Sequence, residues 1–435
     1  MNDAGVKHLD KSTLSTGFMR FLLVSFLLGI LVTASYFPVL QFDYGAHNDF
    51  ATTQSPEVYS LSNGLLGHSE ALGLLAAGRP LNAFLHDFQF SYIDSYSDLW
   101  ASRLFAVLMV VVSALFLYWF CAWSLKIRRE QALTIAFLLH LTPSYQLFVY
   151  WASNLVPGII ASTIGLIGGV LFVLGYRDPD SVRRLFAFAS SAMLLFAGIL
   201  IYPPNATLFV VPVIIAFVFV PKRDMVLVAK AGGWFVGVFF ISFVFIKFIY
   251  PPVIEALMPG MSDNWNRTNY QMEILPFSGL FNRFLQFFNY VVPGMFSIGN
   301  GSMRATLGWL FIFGIVMALV YAVVRKQRRA ELRVWLVLAV TLVIASGPIL
   351  APQQWAPGIR NTAVQYALAI LAIIYLLFSL KHSKIYAYGV AVSLCALSYF
   401  EANSAVFDAA YNAHLEKLYV DSWVANAFDA NEQRV

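Results

Sequence analysis

The residues best suited to chemistry fall in two short polar patches and one late loop. FDYGAHNDF, residues 42–50, places Asp43, His47, Asn48 and Asp49 just past a long apolar run that ends near Leu40. A carboxylate at such a water boundary can accept a proton from an attacking hydroxyl, the general-base role that Asp and Glu commonly fill. The alternative is that Asp43 or Asp49 caps a helix or is simply solvated. AAGRPLNAFLHDF, residues 76–88, sets Arg79 between Gly78 and Pro80. A guanidinium offers a planar fork to phosphate oxygens, and a Gly-Arg-Pro turn would hold it rigidly; a side chain snorkelling to lipid headgroups is the competing reading. Arg360, in APQQWAPGIRNTAVQ, is the one basic residue of its loop and follows Trp355 and two prolines, which sets it at headgroup depth as a phosphate ligand or an anchor. His140 and Lys247 are ionisable groups inside apolar runs. His140 can bond a backbone carbonyl beside Pro143, and Lys247 can snorkel. No Walker loop, zinc spacing, nucleophile elbow or dinucleotide fingerprint occurs in the sequence, which excludes ATP hydrolysis and NAD binding as activities.

The elements that must position these residues are membrane helices. Of 435 residues, 59% are hydrophobic and 12% charged, and Phe alone occurs 39 times, so water cannot be the main solvent. A span needs about 20 apolar residues. On that criterion the fold class is all-α integral membrane, with about eleven transmembrane helices near 19–40, 103–124, 131–150, 156–175, 185–201, 205–220, 225–249, 305–324, 334–350, 364–380 and 385–400. The first run is too long for a signal-peptide core and lacks a cleavage site, so it reads as a retained span after a polar tail, residues 1–18. Apolar spacing at Ala71, Leu72, Leu74, Leu75, Leu81, Phe84 and Leu85 predicts amphipathic surface helices in the first loop. Cys121 and Cys395 lie in apolar runs and read as buried free thiols.

Charge placement orients the bundle. With eleven spans, one set of connections and the amino-terminal tail hold 18 of the 28 Lys and Arg, and the opposite set holds 16 of the 23 acidic residues. Cationic side chains are retained in the cytoplasm, so the amino terminus is expected inside and the carboxyl terminus outside. The transmembrane domain is expected over 19–400, with outer loops 41–102, 250–304 and 351–363 and an extracytoplasmic tail over 401–435. The positive formal charge of +5 reflects this layout, since no Lys/Arg cluster is interleaved with aromatics as nucleic-acid binding requires.

In this setting the patches HND (47–49), GRPL (78–81), FSYIDSYSDLWASRL (90–104), LTPSYQLFVYW (141–151), YPPNATLF (202–209) and IRNTA (359–363), taken in order, resemble the GT-C glycosyltransferases. Among these, the chain looks most like the serotype-converting O-antigen glucosyltransferases. The resemblance covers roughly the first half of the chain plus one late loop. It implies a GT-C-like fold in a bacterial inner membrane and an inverting transfer of a sugar, glucose by the family pattern, from a polyprenyl phosphate to the O-antigen of lipopolysaccharide or a related surface glycan. It further implies Asp49, with Asp43, as base, Arg79 and Arg360 at the donor phosphate, and His47 and Asn48 beside the acceptor. The family's acidic pair is often adjacent, whereas Asn48 precedes Asp49 here, which leaves the choice between Asp43 and Asp49 open. No cofactor follows from the chemistry, because the leaving group is already a phosphate that an Arg can stabilise; dependence on a divalent metal stays open. Expected partners are membrane lipid, a flippase and a polyprenyl-phosphate sugar synthase. A secondary transporter or flippase is the rival from another class, although transporters concentrate polar groups near the midplane; an O-antigen ligase or polymerase is the rival enzyme.

Reporter fusions test the charge argument. Fusions after Lys126, Arg223 and Arg328 should report cytoplasm, and fusions near Asn63, Asp263 and Glu416 the outside; a cytoplasmic signal at Glu416 removes the odd-span topology.

Overall fold

The structure, a computed structural model, describes residues 11–42, 44, 71, 74–75, 78–91, 93, 98–257, 279, 282, 285, 329–350, 363–379 and 384–432. Among them every regular element is a helix. The larger ones are α1 (Lys11–Tyr36), α2 (Pro80–Phe90), α3 (Leu99–Trp119), α4 (Arg129–His140), α5 (Pro143–Tyr150), α6 (Ala152–Arg177), α7 (Ser181–Ile201), α8 (Pro203–Ala206), α9 (Val210–Phe219) and α10 (Met225–Val244). They continue with α11 (Tyr250–Leu257), α12 (Arg329–Leu350), α13 (Ala363–Ser379) and α14 (Lys384–Glu432).

Length and composition make this a multi-pass membrane protein, and among the described residues fewer stretches reach full crossing length than the sequence predicts. Six described stretches are long and apolar enough to cross: Met19–Leu40, Leu99–Ser124, Val156–Arg177, Ser181–Ile201, Met225–Ala256 and Tyr388–Ser422. The pair Arg129–His140 and Pro143–Tyr150, bent by 52°, makes a seventh if it is one broken span. Pro203–Phe219, Leu332–Ser346 and Ala363–Phe378 are shorter apolar helices, so three of the predicted full spans are reduced. For the first, Pro203 and Pro204 restart the chain and Thr207–Phe209 winds as a 3-10 turn, which consumes residues the periodicity assigns to a crossing. The predicted helix over 305–324 lies outside the described residues.

The bundle is built around α6, whose apolar window is 72% buried. One side of it is paved with glycine. A Cβ on Gly169 would lie 2.1 Å from the Phe209 carbonyl oxygen, one on Gly165 2.9 Å from that of Ala206, and one on Gly158 2.6 Å from the Phe148 ring. Positions 158, 165 and 169 share one helical face, and small residues on a membrane helix let a second backbone come close where lipid supplies no hydrophobic drive. The tight turn through α8 therefore lies flat on α6, held by Asn205 Nδ2 donating to the Gly158 carbonyl at 3.0 Å, and α7 is tied to the same helix by Ser191 Oγ donating to the Gly168 carbonyl at 2.9 Å.

The connections rich in Lys and Arg end the helices at one face, here the basic end. Asp180 and Asp224 cap α7 and α10, each accepting from two backbone N–H groups, the partners a helix start requires. The Tyr176 hydroxyl donates to Asp224 at 2.8 Å, and this bond with the two amide bonds holds the Asp224 carboxyl below the usual carboxylate range. Cys121 is buried and Cys395 half-buried, both free. At the far end α14 departs from expectation. The predicted last span and tail are one helix of 49 residues, about 74 Å long at the α-helical rise. After Gly389 no Gly or Pro occurs before Glu432, and alanines supply strong helix propensity, so nothing stops it near residue 400.

Gly169→Ala should lower stability by about 1–3 kcal/mol or prevent accumulation, because its new Cβ meets a backbone oxygen. Gly232→Ala, with nothing within 4 Å, should leave thermal unfolding unchanged or raise it; equal effects from both would remove the close approach from the account.

Candidate functional site

Two arginines, Arg103 and Arg79, are set on tyrosine rings at the end opposite the basic connections, and a broken span positions the first of them. After His140 the chain leaves the helix at Leu141–Thr142 and restarts at Pro143, whose ring is suited to a first helical turn. The break frees carbonyls that hydrocarbon cannot satisfy. Side chains take them: the Tyr36 hydroxyl donates to the His140 carbonyl, Thr142 Oγ1 to that of Leu139 at 3.1 Å and Gln146 Nε2 to that of Leu141 at 2.8 Å. The His140 ring fills the space beneath, Nδ1 donating to the Ala136 carbonyl at 2.8 Å and Nε2 lying 2.9 Å from Ser113 Oγ.

Turned in this way, α5 presents Tyr150 to the segment that follows α1. Tyr44 stacks on it at 5.4 Å and 18°, and its hydroxyl donates to the Tyr150 carbonyl at 3.2 Å. Over the Tyr44 ring, 3.6 Å from its centroid, lies the guanidinium of Arg103 from α3, whose Nη2 donates to the Tyr44 carbonyl at 2.6 Å. The extended part of α14 closes the other side: Phe42 packs edge-on against Phe407 and Tyr411, and Ala410 and Ala413 are buried against Tyr44. Below this point an apolar trench of about 940 Å³ runs between α1, α3 and α14, from Leu22 past Gly29 to Gln41 and Asn403.

A second group forms around Arg79. Gly78 takes φ 71°, the left-handed conformation glycine tolerates, and ends a helical turn with bonds from Gly78 N to the Leu75 carbonyl and Arg79 N to that of Leu74, at 2.8 and 3.0 Å. Pro80 then opens α2, and the Arg79 carbonyl accepts from Ala83 N at 3.0 Å. The half-buried guanidinium sits 5.5 Å over the ring of Tyr202, the residue that ends α7 and opens the α8 turn. The Tyr250 hydroxyl, from α11, donates to the Leu75 carbonyl at 3.2 Å and steadies the turn from the other side.

Helix α2 is turned inside out. Leu81, Phe84 and Phe88 are exposed along one side, while Asn82, His86, Asp87 and Gln89 are buried with Ala83 and Phe90. Such a helix suits the membrane boundary, where the outward side meets acyl chains, and its buried polar face is directed at the protein, with α6 and α7 its neighbours. A two-faced helix is thus present over Pro80–Phe90, within the stretch whose apolar spacing predicts one.

Arg79 is therefore placed, and the patches GRPL and YPPNATLF touch through it. Asp43, His47, Asn48, Asp49 and Arg360 lie outside the described residues; Tyr44 marks where the first of them begins. Sequence reasoning did not single out Arg103 and assigned no direction to the polar residues of α2. The 82, 86, 89 spacing opposite 81, 84, 88 is visible in the sequence, but only burial tells which face turns inward. Among the described residues no group of three or more His, Cys, Asp and Glu could hold a metal ion.

No protein-family model matches the chain, and no curated protein matches it significantly. Among solved structures, the oligosaccharyltransferase of Archaeoglobus fulgidus, crystallised with zinc and sulfate, is similar to it with 13% identity and a TM-score of 0.44, over 88% of this chain and 53% of that one. The chain spans about half the length of that protein.

A ring beneath Arg79 is worth about 0.5–2 kcal/mol. Tyr202→Leu should accordingly raise the rate at which phenylglyoxal modifies the Arg79 guanidinium roughly 2- to 30-fold, while Tyr202→Phe, which keeps the ring, should stay near the parental rate; identical modification of the two variants would show that the ring does not hold Arg79.

Proposed function

We propose that the chain is an inverting glycosyltransferase of a bacterial inner membrane, amino terminus inside and carboxyl terminus outside, that moves a sugar from a polyprenyl phosphate to O-antigen or a related surface glycan on the outer face. The observation that carries the reading is the apolar trench between α1, α3 and α14, which ends at Gln41, two residues before Asp43. A donor of this class keeps its isoprenoid tail in lipid and its anomeric carbon at headgroup depth. The trench offers the tail a path that ends where the acidic loop starts, and Arg79, set on Tyr202, supplies a fixed cation at the same end of the bundle.

In this reading Asp49, or Asp43, accepts the proton of the acceptor hydroxyl as its oxygen attacks the anomeric carbon. The carbon–oxygen bond to phosphate breaks in the same displacement and polyprenyl phosphate leaves, so no covalent sugar intermediate forms. Arg79 and Arg360 stabilise the charge that develops on the leaving phosphate, a task for positioned donors in a water-poor site, and His47 and Asn48 orient the acceptor. Glucose as the sugar, and a flippase and a donor synthase as partners, follow from the GT-C resemblance. A transporter would break no glycosidic bond, and a ligase would draw on a lipid diphosphate, so the donor used separates the three readings.

The test is transfer from polyprenyl-phosphate glucose by purified protein. Asp49→Asn should cut the rate by about 10²- to 10⁴-fold, the usual worth of a general base, without lowering the amount in the membrane, since a lost cap costs about 1 kcal/mol. Arg79→Ala and Arg360→Ala should weaken donor use, with Lys a poor substitute. Parental transfer by Asp49→Asn with a dead Asp43→Asn moves the role to Asp43; full activity in both overturns the mechanism.

A further inference from the structure

Arg103 is a buried charge that no carboxylate among the described residues neutralises. Its side chain is 1% exposed. Of its five N–H donors one reaches the Tyr44 carbonyl, while Nε, buried, has no acceptor. Among the described residues no Asp or Glu pairs with it. A carbonyl and an aromatic face orient a guanidinium without cancelling its charge, and a buried ion left uncompensated is costly enough that proteins pair it. Its placement is rigid as well. Tyr44, beneath it, is stacked on Tyr150 and hydrogen bonded to the backbone there. The unpaired Nε edge belongs to the planar fork that matches two oxygens of a phosphate. Arg103 also stands in the first turns of α3, whose span begins at Leu99. That is headgroup depth, where lipid phosphates lie.

We propose that Arg103 is a binding residue for the phosphate of a membrane lipid, received through its Nε edge at the start of α3, where Tyr44 and Tyr150 hold the guanidinium. The expectation that this lipid is an isoprenyl phosphate rests on the glycosyltransferase reading; a glycerophospholipid phosphate has the same chemistry. Neither Arg79 nor Arg360 makes the proposal redundant, since a transferred phosphate carries more oxygens than one guanidinium can bind.

The experiment compares undecaprenyl phosphate, undecaprenol and dioleoyl phosphatidate for binding to the purified full-length protein in detergent. The wild type should prefer undecaprenyl phosphate to undecaprenol by about 10- to 100-fold, the worth of a charge-assisted bond. Arg103→Gln should bring that ratio near one while binding undecaprenol as before, and Arg103→Lys, which keeps charge but not the fork, should fall between and serves if the Gln variant does not fold. Competition by dioleoyl phosphatidate equal to undecaprenyl phosphate supports the site with a headgroup phosphate as its source; weak competition supports the isoprenyl source. A wild-type ratio of one, or a ratio unchanged in both variants, overturns the proposal. Sugar transfer measured on the same preparations separates the two ideas: transfer with no phosphate preference sinks this site alone, and phosphate preference without transfer sinks the enzymatic reading alone.

Discussion

Hydrocarbon offers no hydrogen bonds, and the acidic end of this protein depends on how that shortage is met at one point, the break between His140 and Pro143. A helix can stop inside a membrane only if other groups take over the carbonyls it abandons. Tyr36, from the first helix, and Thr142 and Gln146, from the restart itself, do so here. Because they succeed, α5 can leave the axis of α4 by 52° and end under Tyr44. Tyr44 in turn sets the height and tilt of Arg103. The order of dependence runs from backbone satisfaction, through a kink, to the position of a cation, with no contact in the series made by a surface salt bridge.

The second arginine is held by different means toward the same result. Gly78 supplies a backbone turn that other residues would strain, Pro80 starts the next helix, and Tyr202 supplies the ring. Tyr202 is itself fixed because the α8 turn lies on the glycine face of α6, where Gly165 and Gly169 admit backbone rather than side chain. Both cations thus sit on tyrosine rings. A ring orients a guanidinium without neutralising it, so its charge still acts on whatever lies beside it.

Much of this was legible in the sequence, and the parts that were not share a cause. The apolar runs gave nearly every described helix because a span is a property of composition over about 20 residues. The Gly-Arg-Pro turn was legible because each residue type has one strong backbone preference. Arg103 was not, since its type and spacing match any arginine at a span boundary, and only the packing of Tyr44 and Tyr150 sets it apart. Helix α2 was half legible: its periodicity marks two faces, but at a membrane boundary the polar face can turn to water or to protein, and residues 82, 86, 87 and 89 do not say which. The span predicted at 205–220 is shortened because Pro203 and Pro204 spend residues on a turn. The end of α14 failed because the absence of a stop signal is easily read as a change of solvent at residue 400.

That unbroken helix constrains how the family of this sequence can drift. Each inserted or deleted residue turns everything downstream by about 100°, so a single-codon change between Tyr399 and Val406 would swing Ala410 and Ala413 away from Tyr44. Neighbouring loops can change length freely, but α14 has no Gly or Pro after Gly389 to absorb a phase error. Length variation there is restricted to steps near whole numbers of turns, about seven or eleven residues. The C-terminal rod consequently behaves as a ruler with coarse divisions, and genes that carry this architecture should differ in its length by such quanta or not at all.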